Sequence, residues 1–392
     1  MTDVLVPLVF ISDPKRFGGA RRGDCVRGVP AIKNGKLVAL APPIGDAAKL
    51  VIPHLTEAHC HLDKCHTVAR IGHIGGDLTN ALVQQRADKH NWDEDDLRAR
   101  AIKGLNEAKN NGCRTIRSHV DWTDTAAPPL SWSVLTEVAE ETEDLQLSAL
   151  CGIDQWADPA FATKLGEILA LSDGVAGAFV HGQPGLQDGL VNIFETATRH
   201  GLMLDFHVDE GLGDLNGLEA IADMALATKF QAPILCGHSV SLMDRDAKNF
   251  ARIADKCARA NITICTLPTT NLYLQGRTDG TPNRRGITRL RELRAAGVKL
   301  VVGSDNVGDA FCPLGAFDPR AALGLACLAA HLDPPHGDWL ASITTDAATA
   351  LGCTPRMVDG ASLDDLLTCE GEHSADLVAA RTPLRPATQT LI

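Results

Sequence analysis

The sequence predicts an α/β fold, a closed (β/α)₈ barrel of the TIM type with a small β-subdomain beside it. Three observations point there. Eight short apolar runs recur along the chain, helical stretches separate them, and the eight units occupy roughly the 250 residues that such a barrel needs. The runs are 58–62, 115–121, 145–152, 174–180, 202–210, 232–239, 262–268 and 299–305. Strands alternating with helices imply parallel pairing through helical crossovers. An open doubly wound sheet would carry a glycine-rich phosphate turn after an early strand, and none is visible.

The helical stretches have sensible ends. "DEDDLRARAIKGLNEAKNNG" starts with an acidic turn that suits the positive end of the helix dipole and stops at Gly112. "LVNIFETATRHG" ends on basic residues and Gly201, and "RGITRLRELRAAG" predicts a helix ending at Gly297. Before the barrel, "KNG" between alternating apolar residues signals a hairpin. The stretch beginning "MTDVLVPLVF" reads as a first strand and "GEHSADLVAARTPLR" as a late one. The expected division is a β-subdomain from residues 1–53 plus 350–392 and a barrel from 54–349.

Composition narrows the function. The chain has 392 residues, 45% hydrophobic and 22% charged, which is ordinary for a globular protein. The net charge of -12 has no basic block within it, so neither nucleic acid nor an anionic membrane is an expected partner. No run of 18 apolar residues suggests a membrane span, and the start has no basic leader. Twelve scattered cysteines, several in apolar runs, read as reduced packing residues of a cytoplasmic protein; Cys236, Cys265 and Cys312 are of this kind.

Chemistry concentrates at the strand ends, where a barrel places its active site. These ends carry His59 and His61, His119 and Asp121, His207 and Glu210, His238, and Asp305. Three neutral imidazoles and a carboxylate can hold one divalent transition metal with a position open for water. Residues 57–66, "EAHCHLDKCH", also permit a structural zinc knot from Cys60, Cys65 and His66. Strand alternation favours the pair His59 and His61, which point one way while Cys60 points the other. Singly, each residue has a plainer reading: His119 as a core histidine, Asp305 as a helix cap, Glu210 as a surface carboxylate. Their shared position lifts the set. A metal in it would lower the pKa of bound water. Glu210 is placed to shuttle a proton and His238 to support developing charge, while Asp305 can take the first proton.

These residues resemble the amidohydrolase superfamily. "HCHLDK" resembles its HxHxDK opening, and "HVDE" at 207–210, "GHS" at 237–239 and "SDN" at 304–306 look like its later motifs. The run 271–298, "NLYLQGRTDGTPNRRGITRLRELRAAGV", with "DAFCPLG" at 309–315, is similar to cytosine deaminases. The resemblance covers nearly the whole chain. It implies one metal, zinc or iron, held by His59, His61, His207 and Asp305, with Glu210 as proton shuttle and His238 orienting the nucleophile. No lysine stands at the end of strand four, which agrees with a single metal. The expected function is hydrolytic deamination of a cytosine-like amino heterocycle with release of ammonia. The alternatives are a cyclic amidase, an N-alkylamine hydrolase on a triazine-like ring, and a barrel without turnover.

Three positions depart from the cytosine deaminase pattern. Asn306 stands where a second acid is usual, Gly152 and Gln155 where a pyrimidine-reading glutamine is usual, and Phe311 where a tryptophan is usual. Asn306, Gln155, Phe311 and His119 are the expected substrate-binding residues, and a substrate other than cytosine itself is expected. Arg284 and Arg285 are candidate anion binders or helix-packing residues. The remaining expected partners are further copies of the chain, as a homo-oligomer.

Overall fold

In the computed structural model, residues 2–46, 49–284 and 286–391 are described. Eight strands form one all-parallel sheet in sequential order: β1 (Leu55–Cys60), β2 (Cys113–Asp121), β3 (Leu145–Gly152), β4 (Val175–Val180), β5 (Leu204–Val208), β6 (Ile234–His238), β7 (Thr263–Thr266) and β8 (Lys299–Val302). All eight predicted runs contain a strand. The last meets the first through a parallel bridge between Cys60 and Asp305, where the Asp305 amide donates to the His59 carbonyl at 2.9 Å. That seam closes the barrel.

Helices cover the outside because each presents an apolar face to the strands. Glu94–Asn110 begins where the Asp93 carboxylate accepts from the Asp96 amide, and it is followed by Gly112 at φ +87°. Leu186–His200 ends at Gly201 with φ +69°. The helix expected from 285 starts only at Leu290 and ends at Ala295. Gly286 explains the delay. Its φ is +30°, and a Cβ there would stand 2.1 Å from the Gln275 Cβ, so this stretch lies flat on the chain that follows β7. Arg285 is outside the described residues.

A second, seven-stranded sheet joins both ends of the chain. Val4–Pro7 pairs antiparallel with Cys25–Lys33 and parallel with Lys49–Pro53, which pairs antiparallel with Leu366–Glu370. The predicted hairpin joins Cys25–Lys33 to Lys36–Ala41, with Asn34 at φ +51° and Gly35 at φ +71° in its turn. The late strand needs correction. It runs through Leu366–Glu370, and the "GEHSADLV" stretch holds the helix Ser374–Val378 instead. The Asp376 carboxylate accepts from the Glu372 and His373 amides, and this cap turns the chain out of the sheet.

Candidate active site

Five of the eight strands end slightly earlier than their apolar runs, so the polar residues sit at and just beyond strand ends. His59 lies within β1 and His61 one residue past it; Glu210 lies two residues past β5, and Asp305 three past β8. Left-handed backbone aims three of the turns: Asp209 (φ +51°), His238 (φ +68°) and Asp305 (φ +62°). Each such non-glycine residue costs about 1–3 kcal/mol and persists where surrounding contacts over-determine it. Glycine makes room in two places. A Cβ at Gly237 would stand 2.9 Å from His59 Cε1, and one at Gly303 would stand 2.9 Å from the His59 carbonyl oxygen.

Five imidazoles and a carboxylate converge. His61 Nε2 is 3.2 Å from Asp305 Oδ1 and 3.2 Å from His207 Nε2, and His59 Nε2 is 3.5 Å from the same Asp305 oxygen. Two overlapping sets offer one ligand atom each within 4.8 Å of one another: His59, His61, His119 and His207, and His59, His207, His238 and Asp305. Among the described residues no cysteine belongs to such a set. Cys65 instead packs 3.5 Å from the Arg100 carbonyl.

The protonation chemistry fits a metal. Burial pushes His61 and His207 well below the usual histidine range, His238 to about 3 and His119 to about 4, so these rings are neutral and free to ligate. Burial works upward on Asp305, but the His59 and His61 rings beside it hold it well below the usual carboxylate value. Both nitrogens of His59 and both oxygens of Asp305 are buried without a hydrogen-bond partner among the described residues. Orphaned buried polar atoms on this scale are costly, and one cation can take a nitrogen of His59 and the Asp305 carboxylate together.

A cavity of about 250 Å³ opens above the cluster. His61, His207, Glu210, His238, Asp305 and Asn306 form its floor; Trp122, Phe179, Phe311, Leu78 and Leu82 supply apolar walls. Burial, and then the nearby Asp305 charge, push the Glu210 carboxyl well above its usual range. Glu210 Oε2 lies 3.6 Å from His238 Nε2.

The structure brings Glu210, His238, Asn306, Gln155 and Phe311 to the cavity, but not His119. His119 is fully buried beneath His59, ring centroids 4.0 Å apart, with Nε2 3.0 Å from Asp205 Oδ1. It belongs to the imidazole cluster rather than to the cavity wall, because β2 carries it below the strand ends. Gln155 faces the cavity, yet its Oε1 accepts from the Gly152 amide at 2.8 Å and its Nε2 donates to the Thr123 carbonyl at 2.7 Å.

Sequence reading missed three supporting residues. Asn271, on the helix after β7, places its amide 2.9 Å from His238 Nδ1. Gln275 donates to the Glu210 carbonyl at 2.7 Å. Glu57 spans the barrel seam: Oε1 accepts from the His59 and Ser304 amides at 3.1 and 3.0 Å, and Oε2 from the Ser304 hydroxyl at 2.5 Å. A carboxylate inside the fully buried β1 is the available signal.

The barrel and its buried histidine–aspartate centre define a hydrolase of the metal-dependent amidohydrolase class. Residues 129–357 match the model of the amidohydrolase family, and the chain belongs to that family. Among its relatives, a pterin deaminase of Rhizobium rhizogenes (strain K84 / ATCC BAA-868) is 36% identical over 311 residues, covering 77% of this chain and 70% of the relative. The fold is similar to that of a 5-methylcytosine deaminase from Klebsiella pneumoniae, with TM-score 0.80 and 22% identity over 98% of this chain and 95% of the other. It is also similar to N-isopropylammelide isopropylaminohydrolase from Burkholderia multivorans ATCC 17616, with TM-score 0.73 and 20% identity over 99% and 97%.

Proposed function

We propose that this chain is a metal-dependent hydrolytic deaminase of an amino-substituted nitrogen heterocycle, with a fused pterin-like ring as the substrate class. The observation that carries the reading is the placement of Glu210. It is a buried carboxyl of raised pKa, facing the same small cavity as a cluster of neutral imidazoles and one ionised aspartate. The pterin deaminase relative supports the choice of ring.

His59, His61, His207 and Asp305 are the residues that would hold one divalent ion, zinc or iron. Bound there, such an ion supplies an activated water at neutral pH and polarises the group under attack. The chain's own residues do the rest. Asp305 takes a proton from the water. Glu210, whose carboxyl burial pushes well above its usual range so that it holds its proton more firmly than an exposed glutamate, delivers a proton to the ring nitrogen beside the amine-bearing carbon. His238, positioned by Asn271, presents Nε2 to the oxygen as charge develops on it. Asp305 then passes the proton it took to the amine, the carbon–nitrogen bond breaks, and the new hydroxyl returns its proton to Glu210 as it becomes the ring carbonyl, so that the amine departs as ammonia. Phe311 offers a ring face to the heterocycle, and Asn306 and Gln155 bound the space it occupies.

All twelve cysteines are unpaired and eleven are buried, which supports a reducing, cytoplasmic setting. No helix among the described residues is long and apolar enough to cross a membrane.

The deciding experiment measures ammonia release from pterins, amino-pyrimidines, amino-purines and triazines, using protein loaded separately with zinc and with iron. Ammonia from a pterin with the ring intact is the expected result. Alkylamine release from triazines alone would move the assignment to N-alkylamine hydrolysis, and a new carboxylate would move it to cyclic amide cleavage.

A further inference from the structure

We infer that Lys64 reads the substrate, donating hydrogen bonds to a ring oxo group, so that the chain selects amino heterocycles that also carry a carbonyl. This rests on the deaminase reading above and assigns the specificity of the same site.

Lys64 follows His61 by three residues and turns into the cavity beside Asn306 and Phe311. Its side chain is only 5% exposed. Nζ donates to Asp121 Oδ1 at 2.7 Å and stands 5.1 Å from the centre of the Phe311 ring. An ammonium has three N–H donors. Among the described residues, Asp121 is the only acceptor of a hydrogen bond from Nζ. Two donors of a buried charge at the cavity lining therefore have no acceptor among the described residues, and leaving them unmet is expensive.

The surroundings hold Lys64 without exhausting it. Asp121 Oδ2 is shared between Gln85 Nε2 at 2.5 Å and Lys89 Nζ at 3.3 Å, and the Asp121 amide donates to Asp63 Oδ2 at 2.9 Å. The ammonium is thus aimed by a tethered carboxylate. The uncharged side-chain nitrogens of Gln155, Trp122 and Asn306 each make one bond elsewhere. Gln155 Nε2 bonds the Thr123 carbonyl, Trp122 Nε1 bonds the Thr125 carbonyl at 3.0 Å, and Asn306 Nδ2 bonds Asp309 Oδ2 at 2.8 Å. Among the described residues that line the cavity Lys64 is the buried cation, since Arg86 is exposed and the Lys89 side chain is 40% exposed. A ring carbonyl, with two lone pairs on one oxygen, matches two N–H groups on one nitrogen.

The test compares a 2-amino-4-oxo pteridine with 2-aminopteridine, which lacks the oxo group, in wild-type enzyme and in Lys64→Met. A site built to hydrogen-bond a substrate group discriminates against the analogue lacking it by up to about 10⁴-fold. Wild type should prefer the oxo compound in kcat/KM by roughly 100-fold or more on that scale. Lys64→Met should lose most of this preference, with a larger rise in KM for the oxo compound than for its analogue and with metal content retained. The double variant Lys64→Met/Asp121→Asn removes both charges and should show the same collapse if the single variant folds poorly. An equal loss on both compounds, or a preference unchanged in both variants, would overturn the assignment of Lys64. Wild-type enzyme inactive on every amino-oxo heterocycle would instead remove the deaminase reading itself.

Discussion

The barrel has a cavity at each end, and the larger one is the wrong place to look for chemistry. The space at the amino-terminal ends of β1 and β2 measures about 510 Å³, against about 250 Å³ at the carboxyl-terminal ends. The larger cavity is polar too, but its charges are satisfied. Arg114 pairs with Asp365 at 2.7 Å and Asp144 at 3.3 Å, Arg356 shares Asp365, and the His54 nitrogens face the Gly112 and Asp364 carbonyls at 3.3 and 3.2 Å. At the other end, His59, His207, His238 and Asp305 all keep buried polar atoms without partners among the described residues. Satisfied polar groups hold a structure together; unsatisfied ones, retained at a cost, await something else.

That contrast can be broken by experiment. The largest expected effect is from metal removal: chelation should abolish ammonia release, and zinc or iron should restore it, with metal content measured alongside. Next, Glu210→Gln should lower kcat by about 10²–10⁴-fold while leaving metal content intact, because in the proposed mechanism it removes a proton carrier and not a ligand. A near-normal rate would take Glu210 out of the mechanism.

Gly237→Ala probes the packing beneath the histidine–aspartate cluster. The new methyl meets His59 at 2.9 Å, so we expect weaker metal retention and a stability loss of about 1–3 kcal/mol, read by chelator competition and thermal melting. At the opposite end, Arg114→Ala should cost no more than about 1 kcal/mol, since the side chain is 28% exposed, and should leave kcat unchanged. A large fall in kcat there would erase the distinction between the two ends.

The smallest effect sharpens the same point at the rim. Burial raises the Asp96 carboxyl, but hydrogen bonds from Arg70 and Arg100 outweigh that and hold it at about 2, below its usual 3.8. A lowered carboxylate stabilises the fold fully above the unfolded value and loses that contribution as pH falls toward the folded one. Asp96→Asn should therefore flatten the acid side of the stability curve between about pH 4 and pH 2, followed by circular dichroism, with no effect on metal content.

Much of this was legible before any coordinates. The eight apolar runs marked the strands because burial on both faces demands them, and Asn34–Gly35 marked a turn that needs two positive φ angles. His59, His61, His207, His238, Glu210 and Asp305 stood out as polar residues where apolar ones were due. The errors have local causes. The helix before Gly297 is shorter than its helical periodicity predicts because Gly286 is pressed against Gln275. The late strand was misplaced because the Asp376 cap outweighs a weak apolar pattern. Glu57, Asn271, Gln275 and Lys64 were passed over because a polar residue shows its use only through partners distant in the chain.

The sequence by itself determined the number and order of the strands and which side chains stand near their ends, since apolar periodicity and turn chemistry act over a few residues. Only the tertiary structure decided which atoms meet: that Asp305 reaches His59 and His61 across the closing seam, that His119 lies beneath them, and that Gln155 turns to the backbone. Those outcomes depend on barrel closure and strand stagger, which couple residues nearly 250 positions apart and leave no mark in local pattern.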